Sequence, residues 1–163
     1  MADGIKKIFQ TQLTDVSTTD VEDVGTLRFE GNKIYKFVKL YNDTATAAVV
    51  VGDALCYAAA TGADTNTVVM DLTDANSSGF ILGAGLAVGS VTGTVDTAYY
   101  IWIQLTGPAT TTKDLPGTTD GAELTMTDAS ADGTLVVRNA LAEQTIGYIN
   151  DESANTMICA FPF

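Results

Sequence analysis

With 163 residues, 46% of them hydrophobic and 17% charged, the chain is long enough for one domain that hides about two-thirds of the surface its unfolded form exposes. Its formal charge of −12, from 20 acidic and 8 basic residues with no histidine, argues against a nucleic-acid partner, since that affinity comes mainly from Lys and Arg displacing counterions. The missing histidine also excludes His-based triads and His metal sites. No run of about 20 apolar residues suits a membrane span and no apolar core of roughly 7–15 residues marks a signal peptide, so a protein made in the cytoplasm, without a membrane partner, is expected.

The apolar residues are mostly Ala and Val, so the core is thin in large side chains and an oligomer is expected to add burial. The charge is unevenly spread. Residues 1–39 hold six basic residues (Lys6, Lys7, Arg28, Lys33, Lys36, Lys39) and six acidic ones, which leaves two basic and fourteen acidic groups beyond them. The balanced first segment is the better candidate for docking on another protein, where complementary charge sets register and association rate.

In chain order, Ile5-Lys6-Lys7-Ile8-Phe9 is a small amphipathic patch, followed by a Thr/Asp/Val stretch without clear period. Residues 1–24 read as an extended N-terminal arm, and 25–163 as a β-domain. Gly25 to Glu30, a Gly31-Asn32 turn and Lys33 to Leu40 form a hairpin. In its second strand Ile34, Lys36 and Val38 share one face and Tyr35, Phe37 and Lys39 the other, so both faces are expected to meet something.

Short β-branched or aromatic runs follow: Ala47 to Val51, Ala54 to Ala58, Thr67 to Leu72, Phe80 to Val88, Ala98 to Leu105, Glu123 to Thr127, Thr134 to Val137, Gln144 to Ile149 and Thr156 to Ala160. Each ends at Gly, Asp, Asn, Thr or Pro, the spacing of an all-β sandwich or barrel. Thr106 to Asp120 reads as a connection, and Arg138 to Glu143 as the best candidate for a short helix. Gly52-Asp53-Ala54-Leu55 before Ile81-Leu82-Gly83-Ala84 is echoed by Gly121-Ala122-Glu123-Leu124 before Ile146-Gly147-Tyr148-Ile149. This divides the domain into two loosely repeated units, about 45–106 and 118–163, through duplication or through shared β grammar.

Candidate chemistry is sparse. Acidic residues lie mostly in turns, where Asp serves backbone hydrogen bonding, so no catalytic residue is assigned and no enzymatic role or cofactor is expected. Asp74-Ala75-Asn76-Ser77-Ser78-Gly79 and Asp128-Ala129-Ser130-Ala131-Asp132-Gly133 copy the first half of a calcium loop, yet Gly85 and Asn139 stand where a bidentate Glu should close it; ordinary turns are the expectation and no metal site is assigned. Cys56 and Cys159 read as small core residues, with a bond between them left open. Tyr99-Tyr100-Ile101-Trp102-Ile103 is the aromatic centre, whose default place is the core; Tyr100 and Trp102 are the candidates for a subunit interface.

The order of arm, hairpin, Gly52-Asp53-Ala54-Leu55, Gly83-Ala84-Gly85-Leu86-Ala87, Trp102-Ile103-Gln104-Leu105-Thr106-Gly107, Gly121-Ala122-Glu123-Leu124 and Ile146-Gly147-Tyr148-Ile149 resembles the decoration, or cement, proteins of tailed-bacteriophage capsids with a β-tulip-type domain. In that family Trp-x-Gln-x-x-Gly lies between two Gly-Asp strands; here the second unit has Gly121-Ala122-Glu123 instead, and Tyr148 stands where a small residue is usual. The resemblance implies a β-tulip-like sandwich or barrel acting as a homotrimer on the outer surface of the virion head, bound to the major capsid protein and stabilising contacts between capsomers. Ile5, Lys6, Lys7, Ile8, Phe9, Lys33, Lys36 and Lys39 are then expected to face the capsid. Removal of residues 1–24 is expected to weaken that binding and leave the fold intact. The alternatives are a head-fibre or tail structural module and a calcium-dependent carbohydrate-binding β-sandwich.

Overall fold

The computed structural model describes residues 8–41, 48–58, 65–70, 82–92, 97–117, 119–126, 132–140 and 143–162. Among these lie ten strands: β1 (Leu27–Glu30), β2 (Lys33–Tyr41), β3 (Ala54–Tyr57), β4 (Thr67–Val69), β5 (Gly83–Ala87), β6 (Ala98–Thr110), β7 (Glu123–Thr125), β8 (Val136–Val137), β9 (Gly147–Asp151) and β10 (Thr156–Ala160). They form one sheet in the order β1-β2-β4-β3-β5-β6-β10-β9-β7-β8, and an additional pairing of β2 with β6 closes β2, β4, β3, β5 and β6 into a barrel. The chain is all-β, as its spacing of short apolar runs implied. The β2–β4 pairing is parallel and the other pairings are antiparallel.

Two apolar clusters hold this arrangement. Val38 and Leu40 of β2 join Ile101, Ile103, Leu105, Leu55 and Leu86 in the barrel core, which continues through Leu124, Ile146, Ile149 and Met157 under the second half. Each such side chain contributes about 1.5–3 kcal/mol when removed from water. On the opposite face of β2 and β6, Tyr35, Phe37 and Trp102 form a second cluster with Phe9, Leu13, Val21, Val88 and Tyr100. The mixed pattern of β2 thus has a physical cause: both of its faces are covered.

The cover on the outer face comes from the segment read as an extended N-terminal arm. The described part, residues 8–24, lies across the barrel with Ser17 bridged to Tyr100 and Phe9 packed on Trp102. Because Phe9, Leu13 and Val21 shield Trp102 and Phe37, the stretch from 8 to 24 is part of the folded body, and its removal would uncover that cluster.

The connection expected over Thr106 to Asp120 starts later, because β6 runs on to Thr110 and pairs with β10 there. The first part of β6 closes the barrel and its last residues begin the second half of the sheet. The bend between them explains the Trp102-x-Gln104-x-x-Gly107 motif. Trp102 points under the arm, and Gln104 Nε2 lies 3.0–3.2 Å from the carbonyl oxygens of Thr106, Gly107 and Pro108. Gly107 has φ +90°, and a Cβ there would stand 2.6 Å from the Asn32 carbonyl oxygen, so only glycine lets the hairpin turn pack on the bend.

The two units share more than sequence. Gly52 and Gly121 adopt φ of 89° and 88°, values that side-chain-bearing residues rarely hold. Gly52 N donates to Ala87 O, and Gly121 N to Ile149 O, at 2.8 Å in both cases. The next residues, Asp53 and Ala122, each accept from that same partner strand at 2.9 Å, and each donates back across its own turn at 3.1 Å. Matching backbone geometry therefore accompanies the repeated Gly-x-x-Leu, although Asp53 and Ala122 differ in chemistry.

Arg138, Asn139 and Ala140 are not helical, because the Glu143 carboxylate takes the amides of Asn139 and Ala140 while Arg138 Nε donates to the Glu143 carbonyl. Cys56 and Cys159 are both buried free thiols, which closes the question of a bond between them.

Candidate docking surface

The residues expected to dock fall at three places. Ile5, Lys6 and Lys7 lie outside the described residues, as does the Asp74 loop and most of the Asp128 loop. Ile8 is 87% exposed, whereas the ring of Phe9 next to it turns inward. The three lysines of β2 do not make one face, because strand alternation puts Lys33 and Lys39 opposite to Lys36. Lys36 reaches Tyr57, its Nζ 3.1 Å from Tyr57 Oη and 5.4 Å from the centre of that ring. Lys39 pairs with Tyr100 across the strands. Lys33 lies along a shallow groove between the two halves, with Gly52, Val88, Gln104, Ala109 and Thr110.

Tyr100 and Trp102, the expected interface pair, are held within the chain. Tyr100 stacks on Phe37 at 6.2 Å between ring centroids. Trp102 is fully buried, and its indole Nε1–H donates to Thr11 Oγ1 at 2.9 Å. While residues 8–24 are in place, Trp102 presents no surface to a partner.

What holds the arm there was not legible beforehand. Arg28 lies 4.8 Å above the Phe9 ring, donates through Nη1 to Thr11 O at 3.0 Å, and pairs with Glu30 at 2.5 Å. Such a cation over an aromatic face adds roughly 0.5–2 kcal/mol. Buried Glu22 accepts from Gln10 N, Thr11 N and Thr11 Oγ1 at 2.6, 2.7 and 2.9 Å. A carboxylate that reaches back 11 residues to take two amides and a hydroxyl has no local sequence signal. Two large apolar side chains of this first segment stay exposed: Ile8, next to the covered Phe9, and Phe29, at 68% exposure, which alternation turns to the side of β1 opposite to Arg28.

A buried acid does occur in the first unit. Asp53 is fully buried, with Oδ2 accepting from Val50 N at 2.9 Å and Oδ1 3.6 Å from Lys113 Nζ, which also donates to the Asp132 carbonyl. Gly133 sits directly over this pair. The arrangement ties the first unit to the connection and to the second unit, so Asp53 acts as an internal ionic staple. On the second unit, hydrogen bonds from Arg138 and then Thr145 hold the Glu123 carboxyl below its ordinary range. Burial pushes the Cys159 thiol up to about 12, which keeps it neutral and inert near neutral pH.

No group of three potential metal ligands occurs among the described residues. No protein family, no curated protein and no solved structure matches the chain.

Proposed function

We propose that this chain is a structural protein of a tailed-phage particle that decorates the outside of the head, binding the major capsid protein and reinforcing contacts between neighbouring capsomers. The carrying observation is the exposure of two large apolar side chains, Ile8 at 87% and Phe29 at 68%, in the segment that holds six of the eight basic residues. Exposed apolar side chains beside a charge-balanced stretch suit protein docking, while the acidic remainder favours solubility. The barrel beneath is closed and braced by the arm, which provides the rigidity that an external clamp needs.

The test is binding of the purified chain to expanded capsids, with occupancy read by gel densitometry. Phe29→Asp and removal of residues 1–7 leave the Phe9–Trp102 contact in place and are expected to weaken binding tenfold or more. Undiminished occupancy with both variants, or the absence of binding by the unaltered chain, would overturn the proposal. A high copy number per particle separates this role from that of a fibre or tail module, which is present in few copies.

A further inference from the structure

Among the described residues, nothing covers the outward face of the last residues of β6, Pro108 to Thr110, with β10 and β9. Met157 and Cys159 point inward and are buried, so alternation sends Thr156 and Ile158 outward. Directly opposed residues share a face, which places Thr110 beside Thr156, Pro108 beside Ile158, and Ile158 beside Tyr148. Asn150 joins them through a bond from Nδ2 to Thr156 Oγ1 at 3.1 Å. Ile158 and Tyr148 are 39% and 42% exposed, Pro108 is exposed, and none of these six side chains carries charge in a molecule of net −12.

In the row that runs across the strands through Ile158 charge appears only at the two ends, and one strand position away Asp151 stands opposite Thr156. At one end Lys33 lies along a groove with Pro108, Thr110, Asn150 and Thr156, and no carboxylate pairs with it among the described residues. At the other end Glu123 stands opposite Tyr148. Its Oε2 takes both Arg138 and Thr145, at 2.5 and 3.0 Å, while Oε1 accepts nothing from the described residues. Across the strands the order is therefore Lys33, Pro108, Ile158, Tyr148, Glu123.

That order is self-complementary. A half-turn about an axis in the plane of the face, parallel to the strands and passing beside Ile158, reverses the row. Lys33 of each copy then meets Glu123 of the other, Pro108 meets Tyr148, and Ile158 meets Ile158. A half-turn pairs each residue with its counterpart twice, which closes the assembly at two copies. The uncharged row through Ile158 is also where two strongly acidic molecules approach with least repulsion, and opposite charges at its ends set the register.

We infer that two copies of this chain pair face to face through the Pro108–Ile158–Tyr148 surface, with Lys33 and Glu123 as reciprocal end contacts. This goes beyond the capsid-decoration proposal and differs from the trimer that the sequence resemblance implies. Its readout contains no capsid, so either can fail without the other.

Sedimentation equilibrium of the full chain tests it. The expected mass is twice 17.0 kDa, and Ile158→Asp, on an exposed position, is expected to return the single-chain mass with an unchanged far-ultraviolet circular dichroism spectrum and a melting temperature that is lower by the lost association. Should that variant's spectrum differ, Ile158→Cys provides a second test: a short bis-maleimide is expected to link two chains, since facing sheets stand about 10 Å apart and both native cysteines are buried. A wild-type mass of one or three chains, a doubled mass that survives Ile158→Asp, or no linkage through Cys at 158 would each overturn the inference.

Discussion

Phe9 stands edge-on to Trp102, with ring centroids 5.5 Å apart and planes inclined at 78°. The pair joins the start of the described chain to the middle of its longest strand, and makes the extended arm the cover of a second core. Phe9→Ala is expected to lower stability by about 2 kcal/mol, below the range for a fully buried Phe because Phe9 is only partly covered. Trp102 emission should shift to the red in the same variant. Removal of residues 1–7 should change neither quantity, whereas removal of 1–24 should change both.

Glu22 is the second fastening of the arm. Glu22→Ala leaves Gln10 N, Thr11 N and Thr11 Oγ1 without their acceptor, a loss of roughly 2–3 kcal/mol because hydrogen bonds to charged groups are the stronger ones. Glu22→Gln, which keeps an oxygen in place, should cost less. Amide exchange over residues 10–24 is the measurement, and unchanged protection in Glu22→Ala would remove the carboxylate from this role.

Lys113 neutralises a fully buried Asp53. Lys113→Met strands that charge and is expected to destabilise the fold by about 3 kcal/mol, the low end for a broken buried pair because Lys113 is itself partly exposed. Asp53→Asn combined with Lys113→Met should recover much of the loss. Urea unfolding of the two single variants and the double variant gives the coupling directly.

Stability should fall at both ends of the pH scale. In the folded chain the Cys159 thiol is raised from 9.0 to about 12. Below pH 9 its contribution is fully present; between 9 and 12 only the unfolded chain ionises, and stability falls by about 1.4 kcal/mol per pH unit. Glu123 and Asp151 behave oppositely. Arg138 lowers the first and the Ser153 hydroxyl chiefly lowers the second, so their contribution is present above the ordinary carboxylate range and is lost as pH falls through it. Urea midpoints against pH should show both limbs, with Cys159→Val flattening the alkaline one and Glu123→Gln reducing the acid one.

Gly107 is a point where one methyl group tests the topology. Gly107→Ala combines an unfavourable φ of +90° with a Cβ 2.6 Å from the Asn32 carbonyl, and should cost roughly 2 kcal/mol or more. Thermal unfolding checks this. Gly121→Ala, at φ +88° with open space around its Cβ position, should cost less, so the difference between the two measures the contact of hairpin and bend.

By itself the sequence determined the all-β class, the Gly31-Asn32 hairpin, ten of its eleven expected strands within a few residues (Ala47 to Val51, the eleventh, makes only the isolated Val49–Val91 bridge), and the repeat marked by Gly52 and Gly121. These follow from local properties: β-branched runs favour strands, and turns need glycine, Asn or Asp at particular dihedral angles. Only the tertiary structure decided that β2 pairs with β6 to close a barrel, that residues 8–24 cover Trp102, and that Lys33 and Glu123 end one uncharged row. In the sequence Trp102 and Phe9 are two aromatic residues far apart, each equally suited to an interface or a core. Their partners are set by which faces the closed sheet brings together, and alternation along one strand carries no information about what lies across from it.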